Sequence, residues 1–199
     1  MEVRAGFVRP DFGPQSPLLD LEAQKRLVPA GATVKGMQLQ AIVDDCVKRG
    51  ASLGPRRYVA FRDYPGEALL ELLVLATERA FPNLPPREAL RRIGRVAYPT
   101  LKSSLVGRVI FGAFGADVES VWKLVSKGYA ISGSVGSVNV LELGPTEVVL
   151  LFEGIYSFID SWHVGIMEGA VEVYGAVPTV LVNKLSPTSA EMSIAWIKP

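Results

Sequence analysis

His163 is the only histidine in the chain, and it stands between two carboxylates in the run Asp160-Ser161-Trp162-His163-Val164-Gly165-Ile166-Met167-Glu168. An imidazole so placed can ligate heme iron or a divalent metal, or can move a proton as a lone acid/base group with Asp160 or Glu168 beside it. A single imidazole without a second strong ligand makes a poor metal site, and the competing reading is a structural polar cap partnered by backbone or carboxylate. Cys46, the only cysteine, falls on the apolar stripe of a helical segment. A free thiol there behaves as a small buried hydrophobe with a raised pKa, against the sharper reading of an acylated or catalytic cysteine. Gly165 and Gly169 are four residues apart on one helical face, where the lack of a Cβ lets a sheet, a subunit or a ligand come close. Arg87, Arg91 and Arg95 repeat at four-residue spacing, with Arg92 beside them, and can form a solvated face or dock an acidic partner. No G-x-x-x-x-G-K-[ST] or H-E-x-x-H string occurs, so the residues supply no catalytic set of the common nucleotide or zinc-protease kinds.

Composition narrows the setting of these residues. The chain has 199 residues, 49% hydrophobic and 21% charged, with 21 Lys+Arg against 20 Asp+Glu and a net charge of +1. That length builds one core rather than two. The charge balance lacks the positive excess that drives phosphate binding, so no nucleic-acid partner is expected. One cysteine and one histidine cannot assemble a disulfide framework or a Cys/His zinc site within one chain, and no cofactor or metal is expected. The most apolar stretch, Ala68 to Ala76, carries Glu71 and is followed by Glu78-Arg79, too short for a transmembrane span. The first residues hold Glu2, Arg4, Arg9 and Asp11 without a continuous apolar run, unlike a signal peptide. The expected location is cytoplasmic.

Periodicity supplies the elements that must position the chemistry. Residues 1–31, rich in Pro and Gly, read as an extended arm in which Val3 to Val8 can pair as an edge strand. Residues 32–128 are mainly helical. Leu39, Ile42, Val43, Cys46 and Val47 mark a helix from Gly36 to Arg49. A second begins after Pro65 and has more apolar residues than one stripe holds, which predicts the central, most buried helix or a dimer contact. A third opens at Pro85-Pro86 and is expected to kink or end at Pro99. After a stretch punctuated by Gly107, Gly112 and Gly115, a short helix from Asp117 turns Val118, Val121, Trp122 and Val125 inward and is expected to cap at Gly128. Residues 129–199 read as hairpin, helix, hairpin: Val138 to Leu143 with Glu147 to Glu153, a helix from about Ser157 to Tyr174, then Val180 to Leu185 with Ala190 to Ile197. The two turns share Leu-(Gly/Ser)-Pro-Thr. The fold class is α+β, a single domain in which N-terminal helices pack on a four-stranded antiparallel sheet made by the two hairpins.

Several strings carry a family likeness. Thr33-Val34-Lys35-Gly36-Met37, Arg87-Glu88-Ala89-Leu90-Arg91-Arg92-Ile93-Gly94-Arg95, Leu105-Val106-Gly107-Arg108 and the segment Gly165 to Gly175 resemble a paralogous family of myxobacterial proteins of unknown function, similar in length to this chain. The layout is also similar to a wider group holding the 4-vinyl reductase (V4R) domain, the TRAPP tethering subunits and the heme nitric-oxide/oxygen-binding domain. That resemblance implies a ligand-binding or tethering domain, and each of its sites can be sought here. Neither Tyr98-Pro99-Thr100-Leu101-Lys102 nor Tyr156-Ser157-Phe158-Ile159-Asp160 matches the Tyr-x-Ser-x-Arg string with which the heme domains hold propionates. The late cysteines of V4R domains are absent, and Cys46 has no residue-by-residue match to the acylated cysteine of TRAPP.

The expected function is a non-catalytic sensory or adaptor domain that recognises a small apolar ligand or a protein partner, as a homodimer. His163, Gly165, Gly169 and Cys46 are its candidate ligand-binding residues, and Arg87, Arg91 and Arg95 its candidate partner-binding face. The alternatives are a structural interaction module without a pocket and an enzyme using His163 as acid/base.

Overall fold

A computed structural model describes residues 5–103 and 117–198. The Leu105-Val106-Gly107-Arg108 string and Gly107, Gly112 and Gly115 lie outside the described residues. The expected arm contains a short helix, α1 (Leu21–Lys25), started by Asp20, whose side chain accepts from the Ala23 N–H at 2.8 Å. Val8 pairs with Val182 as a single antiparallel bridge, and Phe7 is buried with Val149 and Leu181. The arm therefore touches the last hairpin, as an isolated bridge rather than a strand.

Two short strands, β1 (Thr33–Lys35) and β2 (Asp63–Pro65), pair antiparallel with Val34 opposite Tyr64. Each leads directly into a helix: β1 into α2 (Gly36–Lys48) and β2 into α3 (Gly66–Ala80). Leu39, Ile42, Val43 and Cys46 of the stripe read from the sequence form the buried face of α2, whereas Val47, counted with them, is exposed. The surplus apolar residues of α3 pack inside the chain, with Leu69, Leu70, Leu72, Leu73 and Ala76 all buried, which removes the argument that they await a second subunit.

Helix α4 (Pro86–Ser103) runs past Pro99 without stopping. Proline has no N–H to give the carbonyl four residues back. Here that carbonyl belongs to Arg95, and it lies against a glycine of another helix. Helix α5 (Val118–Ser132) likewise runs through Gly128, where a cap was expected. Gly128 does not adopt the left-handed conformation that ends a helix, and Ser132 Oγ donates to its carbonyl at 2.7 Å.

The C-terminal part is hairpin, helix, hairpin. β3 (Ser137–Leu143) and β4 (Glu147–Glu153) precede α6 (Trp162–Glu172), which is followed by β5 (Val177–Ser186) and β6 (Ser189–Ile197). The antiparallel order β3-β4-β6-β5 joins the two hairpins through their second strands. The inner face of the sheet presents Val148, Leu150, Phe152, Met192, Ile194 and Trp196, and α5 and α6 cover it. Behind them α2, α3 and α4 form a second core with Phe158 and Trp162. The N-terminal helices thus reach the sheet through α5 and α6.

Among the described residues the most buried helix is α6, in place of the expected α3: nine of its eleven residues are buried, and it sits between the two cores. It runs beside α4 at backbone contact. A Cβ built on Gly165 would stand 1.9 Å from the Arg91 carbonyl oxygen, one on Gly169 2.1 Å from that of Arg95, and one on Gly94 2.1 Å from that of Trp162. Gly165 and Gly169 therefore mark the approach of α6 to α4 rather than to the sheet or a ligand. Gly169→Leu should lower the unfolding free energy by about 1 to 3 kcal/mol or more, read by urea denaturation; an unchanged midpoint would contradict the helix contact.

Candidate functional site

Where α2, α4, α5 and α6 converge, the side chains leave a cavity of about 180 Å³. Its wall takes Met37, Ala41 and Ile42 from α2, Val96 and Ala97 from α4, Val121, Trp122 and Val125 from α5, and Trp162, Ile166 and Met167 from α6. Among the described residues the wall contains no Lys, Arg, Asp, Glu or Cys. Thr33, Gln38, Tyr98, Thr100, Ser132 and Tyr156 add polar groups to the wall, and Tyr129, Ser157 and His163 form a hydrogen-bonded cluster in it.

His163 is the second residue of α6 and is 3% exposed. Its Nδ1 lies 2.7 Å from Tyr129 Oη on α5, and its Nε2 lies 2.9 Å from Ser157 Oγ in the loop between β4 and α6. The rings of Trp162, Tyr129 and Phe152 surround it, with centroids at 4.8, 5.6 and 5.9 Å. The loop bearing Ser157 is held from outside: Gln24 of α1 donates to the Tyr156 carbonyl, and Gly66 at the start of α3 leaves room for the Tyr156 hydroxyl. Burial pushes the imidazole down to about 3 and raises the Tyr129 phenol.

The carboxylates that flank His163 in sequence are engaged elsewhere. Asp160 takes Arg87 at 2.7 Å and Lys184 at 2.9 Å. Glu168 receives both Nε and Nη2 of Arg91 at 2.8 Å, with Arg95 Nε at 3.3 Å. Arg95 also pairs with Glu172, and Arg91 Nη1 donates to Glu88 at 2.9 Å. Arg87, Arg91 and Arg95 are therefore not a free partner-binding face. They clamp α4 to α6, because Glu168 and Glu172 belong to α6 and Asp160 to the turn just before it. Against the opposing effect of burial, Arg87 with Lys184 holds Asp160, and Arg92 with Arg91 holds Glu88, below the usual carboxylate range.

Cys46 is fully buried in the core behind α2, and burial pushes its thiol up to about 11. Neither Cys46, Gly165 nor Gly169 lines the cavity. Of the expected ligand-binding residues, His163 alone reaches it. The metal reading finds no support in the geometry: no group of three or more His, Cys, Asp or Glu side chains gathers among the described residues. Ser157 and His163 have the spacing of a nucleophile and base, but the third member is a phenol rather than a carboxylate. An imidazole held neutral down to about pH 3 is a weak base for acyl transfer. The site suits recognition through hydrogen bonds.

Tyr129 and Ser157 escaped the sequence reading, since Tyr129 fell beyond the assumed cap and Ser157 inside an assumed helix. A signal for Tyr129 was present: Val121, Val125 and Tyr129 continue one stripe at four-residue steps.

The sequence matches the family described as a protein of unknown function, DUF2378, over residues 28–197. No curated protein matches it. Among solved structures the fold is similar to an H-NOX protein from Shewanella oneidensis in the Fe(II)NO ligation state, with TM-score 0.66 and 14% identity over 82% of this chain and 99% of that one. It is also similar to an Fe(II) unliganded H-NOX protein from K. algicida, with TM-score 0.62 and 12% identity over 83% of this chain and 97% of that one. At these identities the likeness is one of fold. No helix among the described residues is long and apolar enough to cross a membrane.

Two measurements check the electrostatics. Unfolded, His163 titrates near 6.5, and folded near 3, so between these values the unfolded chain binds a proton that the fold refuses. The stability this lends is complete above pH 6.5 and is lost as pH falls toward 3. Relative to the non-titrating His163→Gln protein, wild type should lose roughly 3 kcal/mol of unfolding free energy between pH 7 and pH 4. Arg91→Met, which strips the nearly buried Glu168 of its bidentate partner, should cost roughly 3 kcal/mol. Because the site is shielded, that loss should change little between 0.05 and 1 M salt; a difference that salt erases would show a surface pair instead.

Proposed function

The chain belongs to this family of unknown function, and from that premise we propose that it is a non-catalytic sensory domain that takes a small, mostly apolar ligand into the cavity among α2, α4, α5 and α6. The observation that carries the reading is the cavity itself, an uncharged space of about 180 Å³ where the two cores meet. An engineered apolar cavity of roughly 150 Å³ binds benzene, so the space suits a molecule of that order. A ligand there touches helices of both cores at once. Differential affinity for one packing of those helices would convert occupancy into a shift of population.

H-NOX proteins of this fold are described in Fe(II) unliganded, Fe(II)NO and Fe(II)CO ligation states, and one is described as probing the function of heme distortion in the H-NOX family. The residues present here do not fit heme. Both ring nitrogens of His163 are taken by hydroxyls, leaving no lone pair aimed at an iron. Among the described residues the wall offers no cationic side chain for propionates, and its volume falls below the roughly 300 Å³ at which sites for larger ligands begin. The sensory role is therefore proposed without the prosthetic group.

Titrating the purified protein with benzene, followed by calorimetry and by shifts of amide resonances, should show saturable uptake of one molecule per chain. Ala97→Leu places three added carbons at the cavity wall and should weaken that uptake at least tenfold. Because the leucine enters vacant volume, the unfolding free energy should change by less than about 1 kcal/mol. No saturable uptake by the wild-type protein would end this reading.

A further inference from the structure

We propose, resting on the reading just given, that the ligand is a neutral molecule with a hydrogen-bond acceptor, such as a small cyclic ketone, which the Ser157–His163–Tyr129 cluster binds through a hydroxyl hydrogen that the cluster cannot use internally. The argument is a count of protons. A neutral imidazole carries one N–H and one bare nitrogen, and each hydroxyl carries one hydrogen. The cluster thus holds three hydrogens and makes two hydrogen bonds, to Nδ1 and to Nε2. With the ring hydrogen on Nδ1, that N–H donates to Tyr129 and Ser157 donates to Nε2, so the Tyr129 hydrogen is left over. With it on Nε2, that N–H donates to Ser157 and Tyr129 donates to Nδ1, leaving the Ser157 hydrogen. The result holds for either tautomer.

The surplus hydrogen is available to the cavity. All three residues line the cavity, and neither hydroxyl makes another hydrogen bond among the described residues. A ligand that only donates leaves the hydrogen unmet, whereas an acceptor satisfies it. Charge selects further. An anion would meet no cationic side chain, and a cation no carboxylate, on the described part of the wall, and burying an unpaired charge is costly. Protonation of the imidazole would add a fourth hydrogen and end this pattern, and burial prevents it at neutral pH. What remains is a neutral acceptor on an apolar body about the size of a six-membered ring.

Cyclohexanone and methylenecyclohexane have the same shape with and without the carbonyl oxygen. Calorimetric titration of the wild-type protein, with each affinity corrected for the ligand's transfer from water to cyclohexane, should show cyclohexanone binding roughly five- to a hundredfold tighter, the range set by leaving a buried donor unpaired. Difference infrared spectra of bound cyclohexanone should place its carbonyl stretch below that of the ketone dissolved in cyclohexane. Equal or tighter corrected binding of the hydrocarbon, or a bound carbonyl with the stretch it has in cyclohexane, would overturn this inference and leave the apolar cavity reading standing. If neither molecule binds, the cavity reading falls and this inference with it.

Discussion

Helices α4 and α6 touch at their backbones, and the rest of the architecture is arranged around that contact. Gly94, Gly165 and Gly169 make it possible, since a single Cβ at any of them would collide with a carbonyl oxygen of the other helix. Glycine in a helix interior costs roughly 0.5 to 1 kcal/mol relative to alanine, so three of them need a compensating gain. The arginine and carboxylate side chains beside the contact provide one. Arg91 grips Glu168 with two parallel hydrogen bonds, and Arg87 and Arg95 extend the clamp to Asp160 and Glu172. The contact also accommodates Pro99, because the Arg95 carbonyl that the proline leaves without a helical donor faces Gly169.

That clamp decides where the cavity lies. It fixes α6 as the shared wall of two cores, the sheet with α5 on one side and α2, α3 and α4 on the other. At the junction of the two cores four helices meet. Small residues there, Ala41, Ala97, Gly128 and Ala170, leave about 180 Å³ open. Protein interiors normally close such space, so a void bordered by this many small side chains is a property of the sequence.

Much of the fold was legible because it rests on local patterns. The helical stripe of α2, the proline starts of α3 and α4, and the two hairpins with their matching turns all follow from spacing within a few residues. The misjudged features depend on distant partners. Arg87, Arg91 and Arg95 look like a solvated face until α6, 77 residues beyond Arg91 at Glu168, brings the complementary acids. Pro99 and Gly128 are strong local stop signals, yet the helices run through both, past Pro99 at the contact with α6 and past Gly128 with a local bond from Ser132. Taking Gly128 as an end hid Tyr129, one of the three members of the polar cluster. His163 was found because histidine is rare here, yet its environment was misread, since the nearest carboxylates in sequence are not its neighbours in space. The short β1–β2 pair was missed for the same reason: three-residue strands 30 residues apart carry no period to detect.

The clamp and the cavity are also linked through charge. An imidazole beside a free carboxylate has its charged form stabilised and titrates near or above its ordinary value. Asp160 and Glu168 stand three residues before and five after His163, and either could have served as that partner. The arginines of α4 and Lys184 of β5 hold both carboxylates away from it. Deprived of a counter-charge, His163 is left with two hydroxyls and with burial, and it stays neutral. Neutrality in turn gives the polar cluster in the cavity wall a fixed number of hydrogens to distribute. The same three arginines that join the two halves of the molecule therefore keep its internal space uncharged, which ties the recognition chemistry to the packing of α4 on α6.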